Sequence, residues 1–173
     1  AALGDRLALR PRLVSTAVYH DESQYSFIQI AASTENPRQH TLILDKLEHS
    51  IIDFDHPSDF KQEYEWVYEA IFQQLFPGTT PLRTFFIGGG GFVFPRYFDT
   101  HRPGGHTEVA EIDSAVSRAA VEAFGLNPQN HLEIHNEDAR NRITSLAAAR
   151  QRDPAAVAPF DLIVGDSFSD YNV

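Results

Sequence analysis

The residues with the clearest chemical content are carboxylates that follow short apolar runs. Glu111 and Asp113 close VAEID, Asp138 closes HNED, and Asp166 and Asp170 bound DSFSD after FDLIV. One further run, RTFFI, ends in four consecutive glycines, Gly88, Gly89, Gly90 and Gly91. Glycine loses the most conformational freedom on folding, so four in a row point to a backbone approached too closely for side chains. Glu111 follows Gly90 by 21 residues, near the ~20 at which an acidic residue meets ribose hydroxyls in nucleotide-binding folds. A carboxylate there can accept from the 2′- and 3′-hydroxyls at once. The run is not G-x-G-x-x-G, because Phe94 stands where the last glycine falls when counted from Gly89, and no Gly-Lys-Ser/Thr follows. A diphosphate is therefore disfavoured, and a nucleoside with a cationic or neutral tail fits the acidic surroundings.

Alternating elements must carry these residues. RTFFI, HTEVAEID (106–113), HLEIHNED (131–138) and FDLIVGDSF (160–168) read as strands. SAVSRAAVEAFGL (114–126, closed by Gly125) and ARNRITSLAAAR (139–150) read as helices between them. Strands separated by helices of this length imply right-handed βαβ units and a parallel sheet. Ligands of such sheets bind beyond the carboxyl ends of the strands, where the glycines and carboxylates of four strands converge. Taken singly, Glu111 or Asp138 reads as a surface or capping carboxylate, and Asp113 as a helix N-cap.

Upstream, QYSFIQIAA (24–32) and TLILDKLEHSII (41–52) predict strands of a small antiparallel sheet, with STENPRQH as the turn. Pro57 and Ser58 mark the start of a helix that PGTTP ends. Phe60, Tyr64, Val67, Tyr68, Ile71, Phe72 and Leu75 space as one continuous apolar face of it, with its aromatic residues in the core. The chain thus divides into a β-strand domain over 1–56 and a nucleoside-binding domain over 57–173.

The 173 residues, 42% hydrophobic and 22% charged, suit a soluble globular chain. A net charge of −10 argues against nucleic acid and favours small cations. With no cysteine, disulfides and thiolate chemistry are excluded. The eight histidines show no HExxH or comparable spacing, so no metal is expected. No apolar run approaches a membrane span and no signal peptide is visible, and the chain starts without an initiator methionine.

YHDESQYSFIQI, LILDKLEHS, IGGGGFVFPR, VAEID, NEDAR and FDLIVGDSFSD, in this order, resemble the polyamine aminopropyltransferases, the spermidine synthase family. The glycine segment is most similar to the spermidine synthase-like domains fused to membrane transporter-like proteins. The resemblance implies a Rossmann-like methyltransferase fold behind a small β-domain, with the parallel sheet cut short after its fourth strand. It also implies decarboxylated S-adenosylmethionine, or S-adenosylmethionine, as co-substrate and no metal. A small amine or polyamine acceptor, a homo-oligomer and a cytoplasmic setting follow, with a possible membrane-embedded half in a longer protein.

By the same resemblance the glycines cradle the nucleoside, Glu111 and Ile112 sit at the ribose, and Asp138 with Ala139 meets the adenine. Asp166 is then the catalytic aspartate. Tyr25, Ser26, Tyr64, Asp166 and Asp170 fall on the acceptor side. Three positions depart from the family: Gly91 replaces an aspartate, Ser26 a glutamine, and Asp170 comes one residue late. The nucleoside half matches and the amine half is rebuilt. Three activities remain open: aminopropyl transfer, methyl transfer from S-adenosylmethionine, and a non-catalytic nucleoside sensor.

Overall fold

The computed structural model describes residues 11–129 and 131–167. Sheet A is a four-stranded antiparallel meander of β1 (Ala17–Glu22), β2 (Phe27–Ala32), β3 (Gln39–Leu44) and β4 (Leu47–Asp53). Two of these depart from expectation. β1 carries no strong apolar alternation in the sequence, and 41–52 is not one strand but a hairpin. Its turn is Asp45, at φ 55°, with Leu44 paired to Leu47. Aspartate tolerates this left-handed conformation better than most residues, and no glycine announces the bend.

Helix α1 (Glu63–Leu75) begins six residues beyond Pro57, the expected start signal. Its first turn is fixed instead by Glu65, whose carboxylate accepts from the N–H groups of Lys61 and Gln62. The single apolar face divides in two. Phe60 and Phe72 are buried, whereas Val67, Ile71 and Leu75 are exposed, as is Trp66. Helical spacing says which residues share a face but not which of two apolar faces meets the core.

Sheet B contains β5 (Arg83–Ile87), β6 (His106–Ala110), β7 (Glu133–His135) and β8 (Leu162–Gly165), all parallel, in the order β7-β6-β5-β8. The connections are α2 (Val93–His101), α3 (Ser114–Ala123) and α4 (Ala139–Arg152). α2 forms where the sequence shows only an aromatic-rich segment with an internal proline. Pro95 sits in its first turn, where a missing N–H costs nothing. Strands β6 and β7 are shorter than predicted, and the acidic ends of both motifs form the loops that follow.

The chain steps from β5 to β6 to β7, then returns so that β8 joins the other side of β5. This reversal opens a crevice between the carboxyl ends of β5 and β8, where ligands of open α/β sheets bind. One core joins both sheets: Ile28, Ile30, Leu42 and Ile52 of sheet A belong to the same cluster as Phe86, Val109, Phe94, Phe98, Val116 and Phe124. Among the described residues, no helix is long and apolar enough to cross a membrane.

Candidate functional site

A cleft of about 390 Å³ lies at the crevice, walled by two of the three hairpin turns of sheet A, β1–β2 and β3–β4. Most of the sequence-predicted residues border it: Gly88 and Gly90 after β5, Glu111 and Ile112 after β6, Asp138 and Ala139 at the start of α4, and Asp166 after β8. Tyr25 and Ser26 supply the opposite wall from the β1–β2 turn. Gly89 and Gly91 do not line the cleft, and Tyr64 reaches Asp166 from α1. Asp170 lies outside the described residues.

At one end Glu111 is 7% exposed. Its Oε2 accepts from the N–H of Gly89 (2.9 Å) and of Gly90 (3.3 Å), and its Oε1 accepts from the N–H of Asp113 (2.9 Å). Burial pushes its carboxyl above the usual range, opposed by these three N–H donors, while neighbouring Asp113 adds to the rise. Asp113 caps α3 by accepting from the Ala115 N–H, and its other oxygen takes the hydroxyls of Ser23 and Ser26. Helix capping and the tie between the two sheets thus share one residue. Asp138 caps α4 through the Arg140 N–H, and the Arg140 side chain holds its carboxyl below the usual range.

At the other end, burial pushes the Asp166 carboxyl up to about 6. Among the described residues the hydrogen-bond partner of that carboxylate is the Tyr64 hydroxyl, which donates to Oδ2 at 3.5 Å. The phenol is itself raised, first by burial and then by Asp166. Glu65, 1% exposed, has its carboxyl raised first by burial and also by nearby Asp166, and its Oε1 has no hydrogen-bond partner among the described residues. A desolvated carboxylate held by a single long bond retains the capacity to take a cation or a proton.

The glycines are explained largely by the protein itself. A Cβ at Gly88, whose φ is +95°, would collide with the main-chain carbonyl of Asp166. One at Gly91 would collide with the Phe124 ring and with Ser50 Cβ. Gly88 therefore allows β5 to lie against the β8 end, and Gly91 allows α3 to lie against the loop. At Gly91, where the resemblance to spermidine synthases places an aspartate, the space a side chain would take is filled by packing.

Sequence reasoning missed Asp45 and His49, both on the cleft wall. They belong to the β3–β4 hairpin, whose turn was not recognised, and that turn was the signal that could have found them. Elsewhere, His106, Glu108 and Glu133 bring ligand-type atoms within 4.8 Å of one another. Arg83 and Arg142 already bind the buried Glu108 carboxylate at 3.2 and 2.7 Å, so the group is a charge-compensated ion-pair network.

No family model matches the chain. The eEF1A lysine and N-terminal methyltransferase of Mus musculus is 32% identical over 68 residues, 39% of this chain and 10% of that protein. Its Bos taurus counterpart is 30% identical over 83 residues, 48% of this chain and 12% of that protein. The chain thus spans about a tenth of the length of these curated relatives. Among solved structures it is similar to a probable spermidine synthase from Corynebacterium glutamicum, at TM-score 0.68 and 23% identity over 88% of this chain and 52% of that one. Spermidine synthase from Thermotoga maritima follows at TM-score 0.64 and 18% identity, covering 89% and 49%. A spermidine synthase in complex with the transition-state analogue AdoDATO gives 0.62 and 18%, covering 89% and 47%. The fold is that of the spermidine synthases, and the chain spans about half the length of those structures.

Proposed function

We propose that this chain binds decarboxylated S-adenosylmethionine and supports transfer of its aminopropyl group to a small amine. The observation that carries the reading is the charge of the cleft wall. Asp45, Glu111, Asp113, Asp138 and Asp166 border it, and no lysine or arginine does so among the described residues. An amino-acid carboxylate on the ligand would meet like charge with no arginine or lysine to pair with. Its removal leaves a cationic tail that the same wall attracts.

In this reading Glu111 accepts from the ribose, and Asp138 with Ala139 borders the adenine. The acceptor nitrogen attacks the carbon next to the sulfonium, the C–S electron pair passes to sulfur, and neutral methylthioadenosine leaves. The nitrogen's surplus proton goes to Asp166. Between an ordinary carboxylate and an alkylammonium that proton transfer is uphill by about 8 kcal/mol. With Asp166 raised to about 6, the gap narrows to roughly 5–6 kcal/mol. Desolvation of the ammonium and repulsion by the adjacent sulfonium act in the same direction.

A second reading, methyl transfer from S-adenosylmethionine, draws on the partial identity to proteins named lysine and N-terminal methyltransferases. It requires a cation for the ligand carboxylate, and His49 is the one basic side chain on the described wall. Side-by-side calorimetric titration with the two sulfonium compounds separates the readings. Tighter binding of the decarboxylated compound, with amine-dependent release of methylthioadenosine that Asp166→Asn abolishes, is the expected result. Tighter binding of S-adenosylmethionine would overturn it in favour of methyl transfer.

A further inference from the structure

Arg96 is a half-buried cation whose hydrogen-bond partners are three main-chain carbonyls. Nε donates to Phe92 O at 3.0 Å, Nη2 to Gly91 O at 3.1 Å and Nη1 to Phe124 O at 3.2 Å. Burial lowers its pKa to about 10, so it remains charged at neutral pH. A desolvated guanidinium is costly unless its donors are matched, and here every match lies on the back of the glycine turn or at the end of α3.

Those contacts lead to the cleft. Phe92, fully buried, is held at φ 56°, a left-handed conformation that disfavours a large side chain. The Gly91 peptide preceding it is gripped from both sides: its N–H donates to Ser50 Oγ at 3.1 Å, and its carbonyl accepts from Arg96. The turn so fixed is the one whose Gly89 and Gly90 N–H groups take two acceptor sites of Glu111. We propose that Arg96 is a positioning residue for ribose recognition, acting through the glycine turn on the Glu111 carboxylate. The inference rests on the nucleoside reading of Glu111 given above.

Arg96 also meets the C-cap carbonyl of α3 at Phe124, and a cation there would stabilise the helix end on its own. The two roles separate in a ratio. Lost stability lowers the fraction of competent protein equally for every ligand and cancels when two ligands are compared. A displaced Glu111 changes the comparison itself.

The test titrates methylthioadenosine and its 2′-deoxy analogue into wild type, Arg96→Gln, Arg96→Lys and Ser50→Ala. Wild type is expected to prefer the ribonucleoside by roughly ten- to a hundredfold, the effect of one charge-assisted hydrogen bond. In Arg96→Gln the preference falls to within about threefold, with Arg96→Lys between the two and Ser50→Ala shifted in the same direction. An unchanged ratio in Arg96→Gln, with only weaker overall binding or a lower melting temperature, would reduce Arg96 to a helix cap and overturn the proposal. If that variant does not fold, an unchanged ratio in both Arg96→Lys and Ser50→Ala overturns it equally. Wild type that binds neither compound, or both alike, removes the nucleoside reading of Glu111 and this proposal with it, and the wild-type arm alone reveals that.

Discussion

The two ends of the cleft use the same functional group in opposite ways. Glu111, Asp113, Asp138 and Asp45 each accept at least one main-chain N–H. Asp166, among the described residues, has only the distant Tyr64 hydroxyl. The first set is fastened to helix starts, the glycine turn and strand β2, so its geometry exists before any ligand arrives. The second is desolvated and under-satisfied, and burial drives its pKa upward. Preorganised acceptors suit a neutral, shape-defined group such as a ribose. An under-satisfied, partly buried carboxylate suits a ligand that brings its own positive charge and can give up a proton.

The largest expected effect comes from the fastened end. Glu111→Gln turns one accepting oxygen into an amide donor facing N–H groups that are already donors. Each buried donor left without a partner costs about 1–3 kcal/mol. Urea unfolding is expected to show a loss of about 2–4 kcal/mol, together with loss of measurable nucleoside binding by calorimetry. Unchanged stability would mean that the glycine N–H groups do not depend on this carboxylate.

Gly91→Asp introduces the aspartate that the resemblance to spermidine synthases places here and tests the amine end of the proposed site. The new side chain meets Phe124 and Ser50, and overpacking of this kind costs about 1–3 kcal/mol. A lower melting temperature with no gain in amine affinity is expected. Tighter amine binding would show that the loop can turn this position into the cleft.

Asp166→Asn tests the under-satisfied end through its pH dependence. The folded pKa, pushed up to about 6 by burial, lies above the ordinary aspartate range. The folded protein therefore holds this proton more tightly than the unfolded chain, and the linked stability is present below pH ~4 and lost as pH rises through ~6. The conversion is at most about 3 kcal/mol. The asparagine variant should thus be more stable than wild type at pH 7, with the advantage shrinking toward pH 4. Thermal unfolding across that range reads it directly, while affinity for a cationic ligand falls roughly ten- to a hundredfold.

Tyr64→Phe is the smallest change. A hydrogen bond at 3.5 Å is long for a hydroxyl donor, so amine affinity should move less than about threefold, below the ~1 kcal/mol typical of a well-made bond. A tenfold loss by calorimetry would make the phenol a principal anchor.

The contrast between the ends also describes what the sequence made legible. Alternating apolar runs and helical periods were enough to assign the parallel sheet, and Asp113 as an N-cap followed from a polar residue directly ahead of an amphipathic stretch. Contacts between segments distant in sequence were not legible. Nothing local in GGGG says that Asp166, Ser50 and Phe124 occupy the space the missing side chains leave. The Asp45 turn hid His49, and the two apolar faces of α1 could not be ranked without knowing which side meets Phe94 and Phe98.

The most direct test of the two-ended cleft compares the affinities of methylthioadenosine and decarboxylated S-adenosylmethionine between pH 7.5 and 5.5, by calorimetry. The account predicts a nearly constant value for the neutral thioether. The cationic compound should weaken by severalfold as Asp166 is protonated near pH 6. Parallel behaviour of the two ligands would mean that Asp166 does not hold the cationic tail, and the division of labour drawn here would be wrong.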